Sequence, residues 1–492
     1  MNTADQAASG PRRAFDPAIL GAAWPPIDGN YRACPVTAEI VARAASAGYP
    51  QWWAKAGSVG YCTRPVHLVG RGPEGTRLSV LARCKNRRGA VCPSCSDLYR
   101  GDTWRLVHAG AAGESELGVP NTVSTHPMVF ATLTAPSFGA VHTCHKNVAG
   151  TARRCHPDKT GQQCWHGKPL NCNTIHTTGD PLVGQPLCAD CYDYRGHVEF
   201  SWHAPALWHR FTIALRRQLV RRLRELDTDP NSVRLSYVKV AELQARAIPH
   251  FHALIRLDDA TSPTDAPAPP LAGVDAGELV GLIVQAAATV RLRIETPAGT
   301  DVVRFGSQID AQPVTNRVGG TDDRDGIAGR RVAGYLAKYV TKSVADFGLG
   351  THRISPHAIA TLPVSEHVQR ILHTIAELAR RPGRAIMLNW LHCLGFRGHI
   401  TTKTRRYSTT LQALRARRFR WQTMRNHLPA ELDQPADIKA DDDEPVLWEF
   451  RGCGHATTGE RLLVLTAALG ARQRRQAARD ALTDTPPPEA SP

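Results

Sequence analysis

His250 and His252 stand two residues apart in the stretch IPHFHALIR, residues 248–256. In a strand, residues i and i+2 share a face, so the two imidazoles would point the same way, with Leu254 and Arg256 in line. Phe251, Ala253, Ile255 and Leu257 would then face an apolar core. Two convergent imidazoles can bind a divalent cation, and they need a third ligand. The preceding strand-like run ends VKVAELQAR, where Glu242 and Gln244 share one parity just before the turn. Glu242 is the better candidate, because a carboxylate suits Mg²⁺ or Mn²⁺. Taken alone the pattern is weak, and two ordinary core histidines would give it as well.

A second group of reactive residues lies in YLAKYVTK, residues 335–342. On a helix, Tyr335, Lys338, Tyr339 and Lys342 fall within an arc of roughly 100°. Two phenols and two ammonium groups would share one face, while Leu336, Ala337 and Val340 pack away from it. An amphipathic helix with a solvated Lys/Tyr side would read the same way. A tyrosine can also act as a covalent nucleophile. Attack on a DNA phosphate needs a polarised phosphoryl oxygen, which a metal supplies, and charge neutralisation, which a lysine one turn away supplies. The two groups together therefore make one chemical unit.

The 13 cysteines cluster. Cys84, Cys92 and Cys95 in CKNRRGAVCPSC carry the spacing of a structural zinc site, with Cys62 as the candidate fourth ligand and His67 as its substitute. A denser group comprises Cys144, Cys155, Cys164, Cys172, Cys188 and Cys191, with His142, His145, His156, His166 and His176 nearby. CADC, residues 188–191, is its firmest half-site, and Cys164 with Cys172 could complete a tetrahedron. A second ion using Cys144, Cys155 and a histidine is open. Cys34, Cys393 and Cys453 read as free buried cysteines.

These residues must be positioned by a fold. MVFATLT, residues 128–134, reads as a short buried strand. In the run from Pro205 to Leu226, Leu207, Phe211, Leu215, Leu219 and Leu223 recur every four residues, as on an amphipathic helix. Strands are expected over Val233–Leu243, His250–Leu257 and Val302–Ala311, and helices over Glu278–Val290, Ile327–Val344 and Val364–Arg380. The order strand, helix, strand, strand, helix, strand predicts an α+β fold with a ferredoxin-like antiparallel sheet, followed by a trailing helix. ATSPTDAPAPPLAG, residues 260–273, reads as a linker or surface loop. DIKADDDEP and the final DTPPPEASP have the composition of disorder.

The chain has 492 residues, with 60 Lys and Arg against 44 Asp and Glu, a net charge of +16. This excess favours a polyanionic partner, nucleic acid first. The basic tract GFRGHITTKTRRYSTTLQALRARRFRWQ, residues 395–422, holds Arg397, Lys403, Arg405, Arg406, Arg415, Arg417, Arg418 and Arg420, suited to phosphate contact. Tyr407 and Trp421 could stack on unpaired bases. No apolar run is long enough for a membrane span, and the N-terminus lacks a signal-peptide core, so a cytoplasmic location is expected. Thiols in that compartment favour metal ligation over disulfides. No GxxxxGK[ST] stretch occurs, so no ATPase motor is expected in the chain.

HFH matches the His-hydrophobe-His motif of HUH endonucleases. FATLTAP, residues 130–136, resembles the first motif of their rolling-circle replication initiators, and YLAKYVTK resembles the YxxxYxxK motif of the two-tyrosine class. CPSCSDLYRGD, HPMVFATLTAPSFGAVH, PLCADCYDY, LQARAIPHFHALIRLD, VAGYLAKYVTKS and LGFRGHITTKTRRYS resemble actinobacterial plasmid replication initiators of the RepSA type, from about residue 60 to 410.

The resemblance implies a nickase that attaches through tyrosine to a 5′-phosphate and leaves a 3′-OH to prime synthesis. Origin DNA, single-stranded at the nick, would be its partner, with a host helicase and replication proteins. His250 and His252 carry over as ligands of Mg²⁺ or Mn²⁺, Tyr335 and Tyr339 as nucleophiles, and Lys342, with Lys338 in the alternative register, as the supporting lysine. Glu242 is the inferred third ligand.

The expected organisation is a poorly ordered segment over 1–55 and a zinc-ribbon-like module over 56–125. The HUH nuclease domain follows over 126–345, with a cysteine-rich zinc insertion at about 140–195. A mainly helical, basic DNA-binding region over 346–435 and a largely flexible tail over 436–492 complete it. An HUH transposase or relaxase, or a zinc-stabilised DNA-binding regulator without catalysis, are the rival readings.

Overall fold

The computed structural model describes residues 34–71, 77–146, 150–177, 179–263, 267–270, 273–296, 299–315, 327–341, 344–350, 352–426 and 447–483. The acidic stretch DIKADDDEP, the terminal DTPPPEASP and most of the first expected segment lie outside these. In chain order the elements are α1 (Pro35–Ala44), α2 (Tyr49–Ser58), β1 (Val66–Arg71), β2 (Arg77–Ala82), α3 (Pro93–Ala112) and β3 (Met128–Leu133). The short pair β4 (His145–Lys146) and β5 (Ala152–Arg153) precedes α4 (Tyr194–Glu225), β6 (Val233–Leu243), β7 (Pro249–Asp259) and α5 (Ala276–Thr289). Then come β8 (Leu292–Thr296), β9 (Gly299–Val303), β10 (Ile309–Thr315), β11 (Ile327–Ala328), α6 (Gly329–Tyr339) and α7 (Glu366–Ala379). The last are β12 (Thr401–Lys403), α8 (Leu411–Asn426), β13 (Trp448–Cys453) and α9 (Thr458–Thr483). The fold is mixed α/β with antiparallel sheets. No helix among the described residues is long and apolar enough to cross a membrane.

The chain divides into two compact units, Met1–Asp97 with Lys439–Pro492, and Leu98–Ile438. In the first, β13, β1 and β2 form an antiparallel sheet in that order. Residues 447–483, assigned above to a flexible tail, thus supply a strand and a 26-residue helix. Their pairing partners lie near the other end of the sequence, which local patterning does not reveal. Glu460 is buried and receives the Arg43 guanidinium, pinning α9 to α1.

The second unit is built on a six-stranded sheet of order β11-β10-β3-β7-β6-β12. Its pairs are antiparallel except β10 with β11. Strand β7 is central and almost wholly buried. Phe251, Ala253, Ile255 and Leu257 pack with Leu207, Phe211, Leu215, Leu219 and Leu223 of α4 and Leu279 and Ile283 of α5. On the opposite face Leu254 meets Val238 and Val240 of β6, Val332 and Leu336 of α6 and Leu106 and Val107 of α3. Each strand residue therefore serves the layer its parity selects.

Several expected elements differ in extent. The helix expected from Pro205 begins at Tyr194, where the Asp193 carboxylate accepts the Gly196 amide at 2.7 Å, and Pro205 lies inside it. The strand expected over Val302–Ala311 is two strands, because the chain breaks pairing between them to bond the Gly306 amide to Thr134 O at 2.8 Å. The helix expected over Ile327–Val344 is confined to Gly329–Tyr339.

Arg256, in line with the two histidines, is fully buried and binds Asp258 through Nε at 2.6 Å and Nη2 at 3.1 Å. Asp258 also accepts from Ser236 at 2.6 Å and faces His126 Nδ1 at 2.8 Å. Arg256 reaches the carbonyls of Gly110 on α3 and Tyr407 after β12. Gly110 is required there, since a Cβ would lie 2.2 Å from the Tyr407 ring.

Beside α4, His367 of α7 is buried between the Tyr194 hydroxyl (Nδ1, 3.1 Å) and the Arg246 carbonyl (Nε2, 3.1 Å). One ring nitrogen accepts and the other donates, which is the neutral imidazole. Burial pushes its pKa down to about 4, and burial also lowers the neighbouring His197. A depressed histidine means that the unfolded chain binds the extra proton first. Stability should therefore fall as pH drops from 6.5 toward 4, by about 3 kcal/mol for this group. Urea midpoints at pH 7 and pH 4.5 check this: His367→Gln should flatten the difference, and an unchanged slope would disprove the assignment.

Candidate active site

Strands β6 and β7 pair with Glu242 directly opposite His250 and Val240 opposite His252. The Glu242 carboxylate therefore lies between the two rings, with Oε2 3.2 Å from His250 Nε2 and 3.1 Å from His252 Nε2. Glu242 and His252 are buried. The far sides of the rings are held as well. His252 Nδ1 is 3.0 Å from the hydroxyl of Thr132, its cross-strand neighbour on β3. His250 Nδ1 is 3.2 Å from the Gln244 amide, which is steadied by Arg246 at 3.1 Å. Arg246 in turn bonds to the carbonyls of Ala135 and Pro136.

The three ligand atoms lie within 4.8 Å of one another and could hold a metal ion. Neighbouring ligands on an octahedral ion with 2.1 Å bonds stand about 3.0 Å apart, close to the observed spacing. Two nitrogens and one carboxylate oxygen fit a cation such as Mn²⁺ and leave positions for other ligands.

Helix α6 lays both phenols against this group. The Tyr335 ring meets His252 edge-on at 4.9 Å, the Tyr339 ring stacks on His252 at 5.4 Å, and the two tyrosines are 4.6 Å apart. Phe130 of β3 backs Tyr335 at 5.6 Å. Burial of part of the Tyr335 ring raises its phenol above the ordinary range, and Tyr339 and the charge of Glu242 act in the same direction. Tyr335 nevertheless keeps 40% of its surface exposed, so a polymer could reach it. Lys338 Nζ lies 5.7 Å from the Tyr339 ring centre. Lys342 is outside the described residues.

The cysteines form three further groups. In the first unit Cys62, Cys84, Cys92 and Cys95 converge. Cys62 Sγ lies 3.7 Å from both Cys92 Sγ and Cys95 Sγ, near the edge of about 3.8 Å that a tetrahedral zinc thiolate site requires. Hydrogen bonding to Cys62, Cys84 and Cys95 holds the Cys92 thiol low, while Cys62, Cys92 and Cys95 push Cys84 up. His67, the substitute ligand, instead contacts Gly454 O at 2.7 Å. In the second unit the grouping differs from the expected one. Cys164, Cys188 and Cys191 are joined by His166, whereas Cys172 stands with His142, Cys155 and His176. Cys144 belongs to neither group. The pairing follows from how the chain crosses itself, which spacing alone does not encode.

The basic tract is partly committed elsewhere. Lys403 Nζ donates to the carbonyls of Thr404 (3.2 Å), Arg405 (3.2 Å) and Ser408 (3.0 Å), and burial lowers its pKa to about 8. Arg397 lies over Trp202 at 4.5 Å and bonds its carbonyl. Tyr407, expected to stack on bases, is fully buried with its hydroxyl on Val107 O at 3.0 Å. Arg405, Arg406 and Trp421 are exposed. Sequence reading missed Thr132 and Arg246. Thr132 stands at the fifth position of MVFATLT, where alternation on a strand edge-on to His252 could have singled it out.

Comparison with known proteins identifies the class. The family model for the RepSA replication initiator protein of pSAM2 matches residues 48–469, and the chain belongs to this family. A replication initiator protein from Streptomyces ambofaciens is 36% identical over 480 residues, covering 92% of this chain and 96% of the relative. No solved structure matches.

The geometry makes a direct prediction for calorimetric titration of Mn²⁺. Glu242→Gln should weaken binding by at least about tenfold and Thr132→Val by about tenfold, through the freed ring of His252. Tyr335→Phe should leave affinity unchanged. Equal affinity in Glu242→Gln would remove the carboxylate from the site.

Proposed function

We propose that the chain initiates replication by nicking and rejoining one strand of origin DNA through a 5′-phosphotyrosine intermediate. The observation that carries this reading is the packing of both α6 phenols on His252, one member of the Glu242–His250–His252 group. The sheet order β10-β3-β7-β6, with α4 and α5 on one face, supports a ferredoxin-like HUH nuclease. Membership of the replication initiator family supports origin DNA as the partner.

When bound at Glu242, His250 and His252, a divalent cation supplies Lewis-acid polarisation of the scissile phosphoryl oxygen. The phenol oxygen of Tyr335 or Tyr339 attacks phosphorus along the line of the breaking P–O3′ bond. Its proton is lost to solvent, and the departing 3′-oxygen takes one up, leaving a free 3′-OH. The Lys338 ammonium offsets negative charge beside Tyr339. Thr132 and Gln244 keep the imidazoles aimed. Rejoining reverses these steps, with a 3′-OH attacking the phosphotyrosine. Arg405 and Arg406, exposed after β12, serve phosphate contact, and Arg397 and Lys403 shape that segment through their contacts to Trp202 and to the loop carbonyls.

The test uses the purified chain, Mn²⁺ and end-labelled single-stranded oligonucleotides tiling the noncoding sequence beside its gene. A covalent protein–DNA band should form on the fragment carrying the 5′-phosphate. It should disappear with EDTA and fall at least 100-fold in Tyr335→Phe/Tyr339→Phe, the single variants assigning the first attack. An adduct that persists in the double variant, or metal-independent duplex binding with no adduct on any strand, would overturn the reading in favour of another nucleophile or of a non-catalytic regulator.

A further inference from the structure

The two Cys/His groups of the second unit alternate along the chain. His142 and Cys155 belong to the first group, Cys164 and His166 to the second, Cys172 and His176 to the first again, and Cys188 and Cys191 to the second. From this order we infer that residues 142–191 bind two zinc ions in a cross-braced module, in which each ion clamps two segments separated by a segment clamped by the other.

The local geometry fits two closed tetrahedral sites. In a site with Zn–S of 2.3 Å and Zn–N near 2.0 Å, sulphur and nitrogen stand about 3.5 Å apart. His166 Nδ1 lies 3.2 Å from Cys191 Sγ and 3.6 Å from Cys188 Sγ. In the other site Cys172 Sγ lies 3.4 Å from His176 Nε2. The second nitrogen of His176, Nδ1, meets the Asp180 carboxylate at 2.6 Å, the partner that orients a metal-bound histidine. His142 Nδ1 is buried and makes no hydrogen bond, and His142 is grouped with Cys155, Cys172 and His176. The Thr143 amide donates to Cys155 Sγ at 3.2 Å. After Cys164 the chain turns at Gly167, φ +70°, so that the Cys164 amide bonds to Lys168 O at 2.9 Å and His166 comes round to the same site.

Regular structure contributes little here. The described strands between β3 and α4 are two residues long, and a few isolated bridges, such as His156 with Cys172, link the segments. Apolar burial is slight too, so the module depends on its ions for a defined fold, as small metal domains do. It also abuts the candidate active site. Gly184, φ +92°, approaches the β6–β7 turn so closely that a Cβ would lie 2.2 Å from Ala245 O. That turn carries Gln244 and Arg246, which position His250.

The experiment is zinc stoichiometry by mass spectrometry on the full chain after passage over chelating resin, in a His252→Ala background so that zinc at that site is not counted. Three ions per chain are expected, one on Cys62, Cys84, Cys92 and Cys95 and two in the module. Cys92→Ser should leave two. Cys188→Ser should remove its own ion and weaken the other module ion at least tenfold in competition with a chromophoric chelator. His166→Cys, which keeps four ligands, and Cys144→Ser, outside both sites, should retain all three ions. In Co²⁺-substituted protein the sulphur charge-transfer intensity should fall by the equivalent of three thiolates when the second site is lost and two when the first is lost. Fewer than two ions assigned to the module, or an unchanged affinity of the remaining ion in Cys188→Ser, would overturn the cross-brace.

Discussion

Strands β6 and β7 run antiparallel over eleven residues each, and their register is the constraint on which the candidate site rests. With this pairing Glu242 opposes His250, and every alternate residue of β7 falls in the apolar layer beneath α4 and α5. A slip of one residue would turn His250 and His252 toward Phe211 and Leu279 and lift Phe251 into their place. The apolar layer thus enforces the polar one. The energy that fixes the imidazoles is the burial of Phe251, Ala253, Ile255 and Leu257, far larger than any hydrogen bond the imidazoles make themselves.

The same strand carries its charge at the other end. Arg256 and Asp258 are both fully buried and are satisfied by Ser236, His126 and two carbonyls from distant segments. Such a network is not an efficient source of stability, because desolvation offsets much of the Coulombic gain. It is selective, however. Removing one partner strands a buried charge at a cost of about 3–5 kcal/mol, so α3, β7 and the segment after β12 are held to one mutual arrangement. Helix α6 packs on the same face, through Val332 and Leu336 against Leu254.

Residues whose relationship is local were legible in the sequence. Strand parity aligned His250 with His252, the turn made Glu242 their neighbour, and helical period put Tyr335, Lys338 and Tyr339 on one face. The four-residue spacing of Leu207, Phe211, Leu215, Leu219 and Leu223 marked the buried stripe of α4. Relationships that depend on chain crossing were not legible. The exchange of Cys172 for His166 as partner of Cys164 needs the path between Cys164 and Cys188, and no spacing rule sets that path. Tyr407 looked like a base-stacking residue because its neighbours are basic, yet it fills a slot left by Gly110, some 300 residues earlier. Lys403 belongs to the same class: the loop carbonyls that take its ammonium come together only when the segment after β12 is folded.

The sheet of the first unit closes with β13 beside β1, and His67 contacts a carbonyl 387 positions later. During synthesis at roughly 5–20 residues per second, the later strand emerges roughly 20–80 s after the earlier one. For that interval β1 has an unpaired edge outside the ribosome, while the intervening unit, whose main-sheet strands all lie between residues 128 and 403, has its strands synthesised first. The two units therefore mature in an order opposite to their order in the chain. An arrested or truncated product would display the second unit without a completed first one, leaving the edge of β1 exposed to pairing with other chains.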